Sequence, residues 1–190
     1  RMKIRDSGMP DEMWWASFFD VATILDRLGV RNLTGDIVDL GCGYGTFTVA
    51  AARRTTGTVH ALDIDPAMVV TTLEKVERLG LDNVLVRRRD FLAGGTGLNA
   101  ASCAYVMAFN ILHTAEPEML LTEAWRILRP GGAIGIVHWN PDPTTPRGPD
   151  LSIRPRPEQC QDWLRAVGFV LEAPHLPLPP YHYGVVGRKA

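Results

Sequence analysis

Several shortages bound what this 190-residue chain can be. Its cysteines number only 3, Cys42, Cys103 and Cys160, and they lie far apart. An odd, scattered set makes no disulfide framework and fits a reducing, cytoplasmic compartment. No Cys or His pair has the spacing of metal ligands, so metal chemistry finds no support. No apolar run reaches the ~18 residues that cross a bilayer, and the N-terminal residues lack a signal-peptide pattern, so a soluble protein is expected. Charge of one sign is also scarce. The formal net charge is -1 with both signs interspersed, which argues against a large nucleic-acid footprint. The one basic cluster, Arg87 Arg88 Arg89, runs straight into Asp90 and reads as a solvated strand end.

What is present is 46% apolar residues, enough to bury one core, with little material for a second domain. The most informative stretch runs Asp36 Ile37 Val38 Asp39 Leu40 Gly41 Cys42 Gly43 Tyr44 Gly45 Thr46, an apolar strand that ends in alternating glycines. Such a turn lets backbone bend tightly and a ligand come close, just where the next helix presents unpaired N–H groups. Two classes of nucleoside cofactor use this geometry. A dinucleotide fold wants Gly or Ala at position 46 for close helix packing, whereas this chain has β-branched Thr46. Asp39, inside the strand end, would repel a pyrophosphate but suits an ammonium and a sulfonium. S-adenosylmethionine carries both. The next strand, Thr58 to Leu62, leads into Asp63 about 20 residues beyond the glycines, the spacing of a ribose-binding acid. Asp65 precedes Pro66 and a long amphipathic segment, and so reads as a helix cap.

Alternation of elements continues along the chain. Trp14, Phe18, Val21, Leu25 and Leu28 recur at helical spacing, which predicts one helix from Asp11 to Leu28, closed by Gly29. Further helices are expected over Thr46–Arg54, Pro66–Leu79, Pro117–Leu128 and Pro157–Val167. Strands are expected up to Leu40 and Leu62, then over Val84–Arg87, Ala104–Phe109, Ala133–Val137, Phe169–Ala173 and Tyr183–Arg188. Strand and helix alternation means right-handed crossovers and a parallel sheet. Arg1 to Gly8 has too little pattern to assign and is a segment that could order only on ligand binding.

Taken together, Val38 to Gly45, Asp63, the pair Asp90 Phe91 and the block Glu123 to Gly132 with its Pro130 Gly131 Gly132 resemble the class I S-adenosylmethionine-dependent methyltransferases, in particular the type 11 group. One departure is Cys103 Ala104, where such proteins often carry Phe-Asp; the apolar run that follows still reads as a buried strand. The resemblance implies an α/β, single-domain, Rossmann-like sheet of order 3-2-1-4-5-7-6, strand 7 antiparallel, with helices on both faces. Residues 1–35 would be a tail and helix packing on the core, and 36–190 the methyltransferase core. It also implies that Asp39 with Gly41, Cys42 and Gly43 holds the methionine part, and that Asp63 holds the ribose. Ile64 would cover the adenine face, Asp90 its amino group, the Phe91 backbone a ring nitrogen, and Phe109 the end of the methionine pocket. The product would be S-adenosylhomocysteine.

Acceptor chemistry belongs to the loops after the fourth and fifth strands. His113 and His138 are the candidate bases, each with a structural role as its alternative. Asn110 could hold an amine or hydroxyl or cap its loop, and Arg147 could anchor an anion or lie solvated on the surface. Asn140 Pro141 Asp142 lies after the fifth strand and lacks an aromatic, so it is discounted as an amino-methylation box. Adjacent helical residues point ~100° apart, so Trp14 is expected in the core and Trp15 over the cofactor or acceptor. The leading function is methyl transfer to a small molecule by a monomer or homodimer. The alternatives are a protein or RNA methyltransferase, a nicotinamide enzyme, and a noncatalytic binder of S-adenosylmethionine or S-adenosylhomocysteine.

Overall fold

Successive side chains of a strand face opposite ways, and here both faces are apolar because helices cover both. A computed structural model, which describes residues 9–142 and 144–190, realises this as one 7-stranded sheet. The strands are β1 (Asp36–Leu40), β2 (Val59–Asp63), β3 (Val84–Arg88), β4 (Cys103–Phe109), β5 (Leu128–Trp139), β6 (Val170–Leu178) and β7 (His182–Arg188). Their order is β3-β2-β1-β4-β5-β7-β6, parallel from β3 to β5, with β7 antiparallel to both neighbours. The helices are α1 (Glu12–Ala16), α2 (Val21–Arg27), α3 (Thr46–Ala52), α4 (Pro66–Arg78), α5 (Phe91–Gly94), α6 (Pro117–Ile127) and α7 (Pro157–Val167). The expectation for Arg1 to Gly8 lies outside the described residues.

Two cores result, one on each face. Ile37, Tyr105, Met107 and Phe109 pack with Phe47, Leu25 and Leu28, while Val38, Leu40, Val106 and Ala108 pack with Leu121, Ala124 and Leu164. Each fully buried Leu or Ile contributes about 1.5–3 kcal/mol relative to exposure. The alternation fixes the site. Asp39 shares the face of Ile37, and so looks at α3 rather than at α6.

Several boundaries differ from those expected. The single helix over Asp11 to Leu28 is two short ones. Asp20 breaks the run by capping α2, its carboxylate accepting from the Thr23 backbone N–H at 3.1 Å and from the Thr23 hydroxyl at 2.8 Å. That break changes the helical phase. Phe18 is buried, whereas Trp14, expected in the core, is 47% exposed. β5 begins at Leu128, five positions before Ala133, because Leu128 pairs with Cys103 and Lys189 donates to the carbonyls of Trp125 and Leu128. β6 continues past Ala173 to Leu178 through Pro174 and Pro177. It can do so because it is an edge strand, paired only with β7, where a missing N–H costs little.

Candidate functional site

Parallel strands deliver their C-terminal ends to one side of a sheet, and β1, β2 and β4 end around a cavity of about 450 Å³. The turn after β1 forms its rim. Gly41, Gly43 and Gly45 all have left-handed φ, 74°, 53° and 71°. A Cβ at Gly41 would meet Ile111 Cγ2 at 2.9 Å, and one at Gly45 would meet Thr72 Cγ2 at 2.8 Å. Conformation and space therefore both require glycine here. The Thr72 hydroxyl fastens the turn by donating to the Gly43 carbonyl at 2.7 Å.

Two carboxylates form the cavity floor. Asp39 is buried and accepts from the Thr48 hydroxyl at 2.6 Å. Burial pushes its carboxyl up to about 7, the Thr48 bond pulls it down, and the nearby Asp63 charge adds to the rise. Asp63 is also raised by burial, against the pull of the Asp65 and Gly43 backbone N–H groups, which donate to it at 2.9 and 2.8 Å. Two acids disfavoured as neighbouring anions suit a cationic ligand, whose charge lets both ionise. Around them the walls are apolar, with Ile64, Phe91, Phe109 and Trp15.

All nine residues assigned to the cofactor by resemblance, Asp39, Gly41, Cys42, Gly43, Asp63, Ile64, Asp90, Phe91 and Phe109, line this one cavity. Asp90 additionally caps α5, accepting from the Ala93 N–H at 3.1 Å. Asp65 caps α4 as its place before Pro66 implies, accepting from Ala67 N–H at 2.8 Å. Trp15, Asn110 and His113 line the cavity too.

Two expected contributors do not. His138 is fully buried outside the cavity lining, behind His113, with its Nε2 3.3 Å from His113 Nδ1. β5 sets this position, because His138 shares the face of Ile134 and Ile136 and points at Tyr183 rather than at the β4 end. Arg147 stacks over the Trp14 ring at 5.7 Å, also away from the cavity lining. Trp14 and Arg147 thus satisfy each other on the surface.

Sequence reasoning missed the N-terminal strap. Tyr44 donates through its hydroxyl to the Pro10 carbonyl at 2.6 Å, and Lys75 donates to the Tyr44 carbonyl while pairing with Glu12. These bonds lay Met9 across the glycine turn, its Cε 3.1 Å from where a Gly43 Cβ would stand. No local pattern around Met9 signals this. Thr48 was missed as well, although a hydroxyl one helical position past the apolar Phe47 was a usable sign.

Comparison with known proteins agrees with the geometry. A family model for the methyltransferase domain matches residues 37–132, about half of the chain. The chain is 36% identical to a ribosomal protein L11 methyltransferase of Methylococcus capsulatus over 60% of this chain and 36% of that protein. It is 34% identical to nocamycin O-methyltransferase of Saccharothrix syringae over 57% of this chain and 39% of that one. The chain spans less than two thirds of the length of these curated relatives. The structure of an S-adenosylmethionine-dependent methyltransferase from Aquifex aeolicus superposes with TM-score 0.85 at 22% identity, covering 100% of both chains. That superposition speaks for the fold, and the family match over the glycine turn and the Pro-Gly-Gly block speaks for the chemistry. With both in hand, the chain belongs to the methyltransferase-domain family and has the fold of the class I S-adenosylmethionine-dependent methyltransferases.

Proposed function

We propose that this enzyme methylates a small molecule in the cytoplasm, with Asp39 and the Gly41–Gly43 backbone holding the methionine end of the cofactor. The observation that carries the reading is Asp39 and Asp63 buried on the floor of one cavity whose walls are apolar. In this arrangement Asp63 takes the ribose hydroxyls, Ile64 covers the adenine, Asp90 takes its amino group, and the Phe91 backbone takes a ring nitrogen. Phe109 and Cys42 close the pocket. When bound, the cofactor supplies a methyl group on an already good leaving group, so the protein's task is chiefly alignment. Asp39 and the turn fix one end, Asp63 and Ile64 the other, and Trp15 excludes water from the mouth.

The acceptor then enters beside Asn110 and His113, between Trp15 and the α6 start. The enzyme acts as a monomer or a homodimer in this reading. No helix among the described residues is long and apolar enough to cross a membrane, and among them no cluster of three His, Cys, Asp or Glu could hold a metal ion. A second reading, a protein acceptor, is favoured by the L11 methyltransferase likeness. A methyl-labelled cofactor offered in parallel to a metabolite extract and to purified ribosomal proteins separates them by mass spectrometry. Label in small products alone supports the proposal, and label in protein alone overturns it.

A further inference from the structure

A buried polar side chain without a partner costs about 1–3 kcal/mol, so one retained beside a cavity points to a ligand group that completes it. Asn110 is such a side chain. Both its amide nitrogen and its amide oxygen are buried without a hydrogen-bond partner. Its backbone is held at φ 57°, and its N–H donates to Val137 O at 2.7 Å, so the side chain is kept at the cavity. An amide with a free donor and a free acceptor is satisfied by a group that both gives and receives a proton, such as an amine or a hydroxyl.

Three residues on, His113 lines the same cavity with its Nδ1 against His138 Nε2. Its Nε2 has no protein partner among the described residues. His138 Nδ1 is buried without a hydrogen-bond partner, so the contact between the two rings is the one bond that orders them. When His138 carries its proton on Nδ1, its Nε2 accepts from His113 Nδ1–H, and His113 Nε2 keeps its lone pair toward the acceptor. Burial lowers the pKa of both rings, and His182 of β7 and Arg154 add to the effect on His138. The acidic groups that line the same cavity are Asp39, Asp63, Asp90 and Glu116. Both imidazoles are therefore neutral at neutral pH.

We propose that the methyl acceptor is a protic nucleophile, an amine or hydroxyl, held by the Asn110 amide and deprotonated at His113 Nε2, with His138 as a positioning residue. The inference rests on the methyl-transfer reading above. The bond from the acceptor oxygen or nitrogen to the methyl carbon forms as the carbon–sulfur bond breaks. Sulfur keeps the bonding pair, and the acceptor proton passes to His113 Nε2 and from there to solvent. A thioether acceptor carries no proton on the attacking sulfur, and neither it nor an attacking carbon offers a hydrogen bond to the Asn110 oxygen.

Two measurements test this. The first is nitrogen-detected NMR of the histidine rings in the cofactor-free protein. His113 should show a protonated Nδ1 and a bare Nε2, lose that single tautomer in His138→Phe, and regain it in His138→Gln, whose amide oxygen can accept. A protonated Nε2 in the wild type, or no change in His138→Phe, overturns the dyad. The second uses methyl-labelled cofactor with a panel of amines, phenols, alcohols, thioethers and carbon nucleophiles. Label should appear on nitrogen or oxygen. His113→Ala should lower kcat by about 10²–10⁴-fold with cofactor affinity unchanged, Asn110→Ala should raise the acceptor KM, and His138→Gln should keep more activity than His138→Phe. Label on carbon or sulfur, or full turnover in His113→Ala, overturns the proposal. Failure of the wild type to bind cofactor would instead sink the reading beneath it, and the NMR result, read without cofactor, keeps the two failures apart.

Discussion

The Thr48 hydroxyl donates to the Asp39 carboxylate at 2.6 Å, and both side chains are buried. This bond stabilises the ionised form of an acid that burial drives toward neutrality. Thr48→Val removes the donor and keeps the shape. A hydrogen bond to a charged group contributes about 1.5–3 kcal/mol, so cofactor affinity at pH 7 should fall by about 10–100-fold. Part of the loss should return at pH 9, where Asp39 ionises without help. Calorimetric titration at both pH values reads this.

Asp39 also ties stability to pH. Burial holds its carboxyl at about 7 in the folded state, well above the usual carboxylate range, so between those values the folded state holds a proton that the unfolded state has lost. Stability from this group is therefore present at low pH and declines as pH rises from about 4 to about 7. Asp39→Asn should flatten that decline, raise the melting temperature at neutral pH, and abolish cofactor binding. Melting curves across this range, with a binding assay at pH 7, test the trade of stability for function.

Away from the site, the central sheet depends on a close approach between β4 and β5. The Tyr105 hydroxyl donates to the Leu28 carbonyl at 2.7 Å, and a Cβ at Gly135 would lie 2.2 Å from the Tyr105 hydroxyl oxygen. Gly135→Ala should destabilise the fold by about 1–3 kcal/mol through overpacking. Adding Tyr105→Phe should recover part of the loss. Urea midpoints of the single and double variants measure it.

Arg154 organises the loop after β5. Its guanidinium donates to Pro149 O at 3.2 and 2.8 Å, to Asn140 O at 2.7 Å and to the Thr145 hydroxyl at 2.7 Å. A planar fork makes these bonds and an ammonium cannot. Arg154→Lys should speed amide exchange over residues 140–149 by about tenfold, equivalent to ~1.4 kcal/mol. Exchange in β1 and β4 should stay unchanged.

The local signals were the legible ones. The glycine turn, Asp63 and the Asp65–Pro66 cap each act through backbone within a few residues, and the chain spells them out. Strand order followed from the resemblance, whereas the face on which Asp39 stands was hidden, because Ile37 and Val38 are both apolar and only the helices packed on them tell the two faces apart. What stayed hidden depends on distant partners. Trp14 stands outside the core because α1 ends at Ala16 as a short helix that buries none of its residues. β6 outran its proline signals because, among the described residues, no strand pairs on its far side. His138 and His113 read alike as bases in sequence, and only the face of β5 on which His138 stands separates the buried ring from the one at the cavity. The Met9 strap rests on Tyr44 and Lys75, 31 residues apart from each other, and no short pattern links them.

The central claim, that Asp39 and Asp63 form the floor of an S-adenosylmethionine site, is tested most directly by isothermal titration of the wild type and Asp63→Ala with S-adenosylmethionine, alongside a dinucleotide. The account predicts one-to-one binding by the wild type, affinity lower by at least about 10-fold in Asp63→Ala, and no heat with the dinucleotide. No binding by the wild type, or equal affinity in Asp63→Ala, would contradict it.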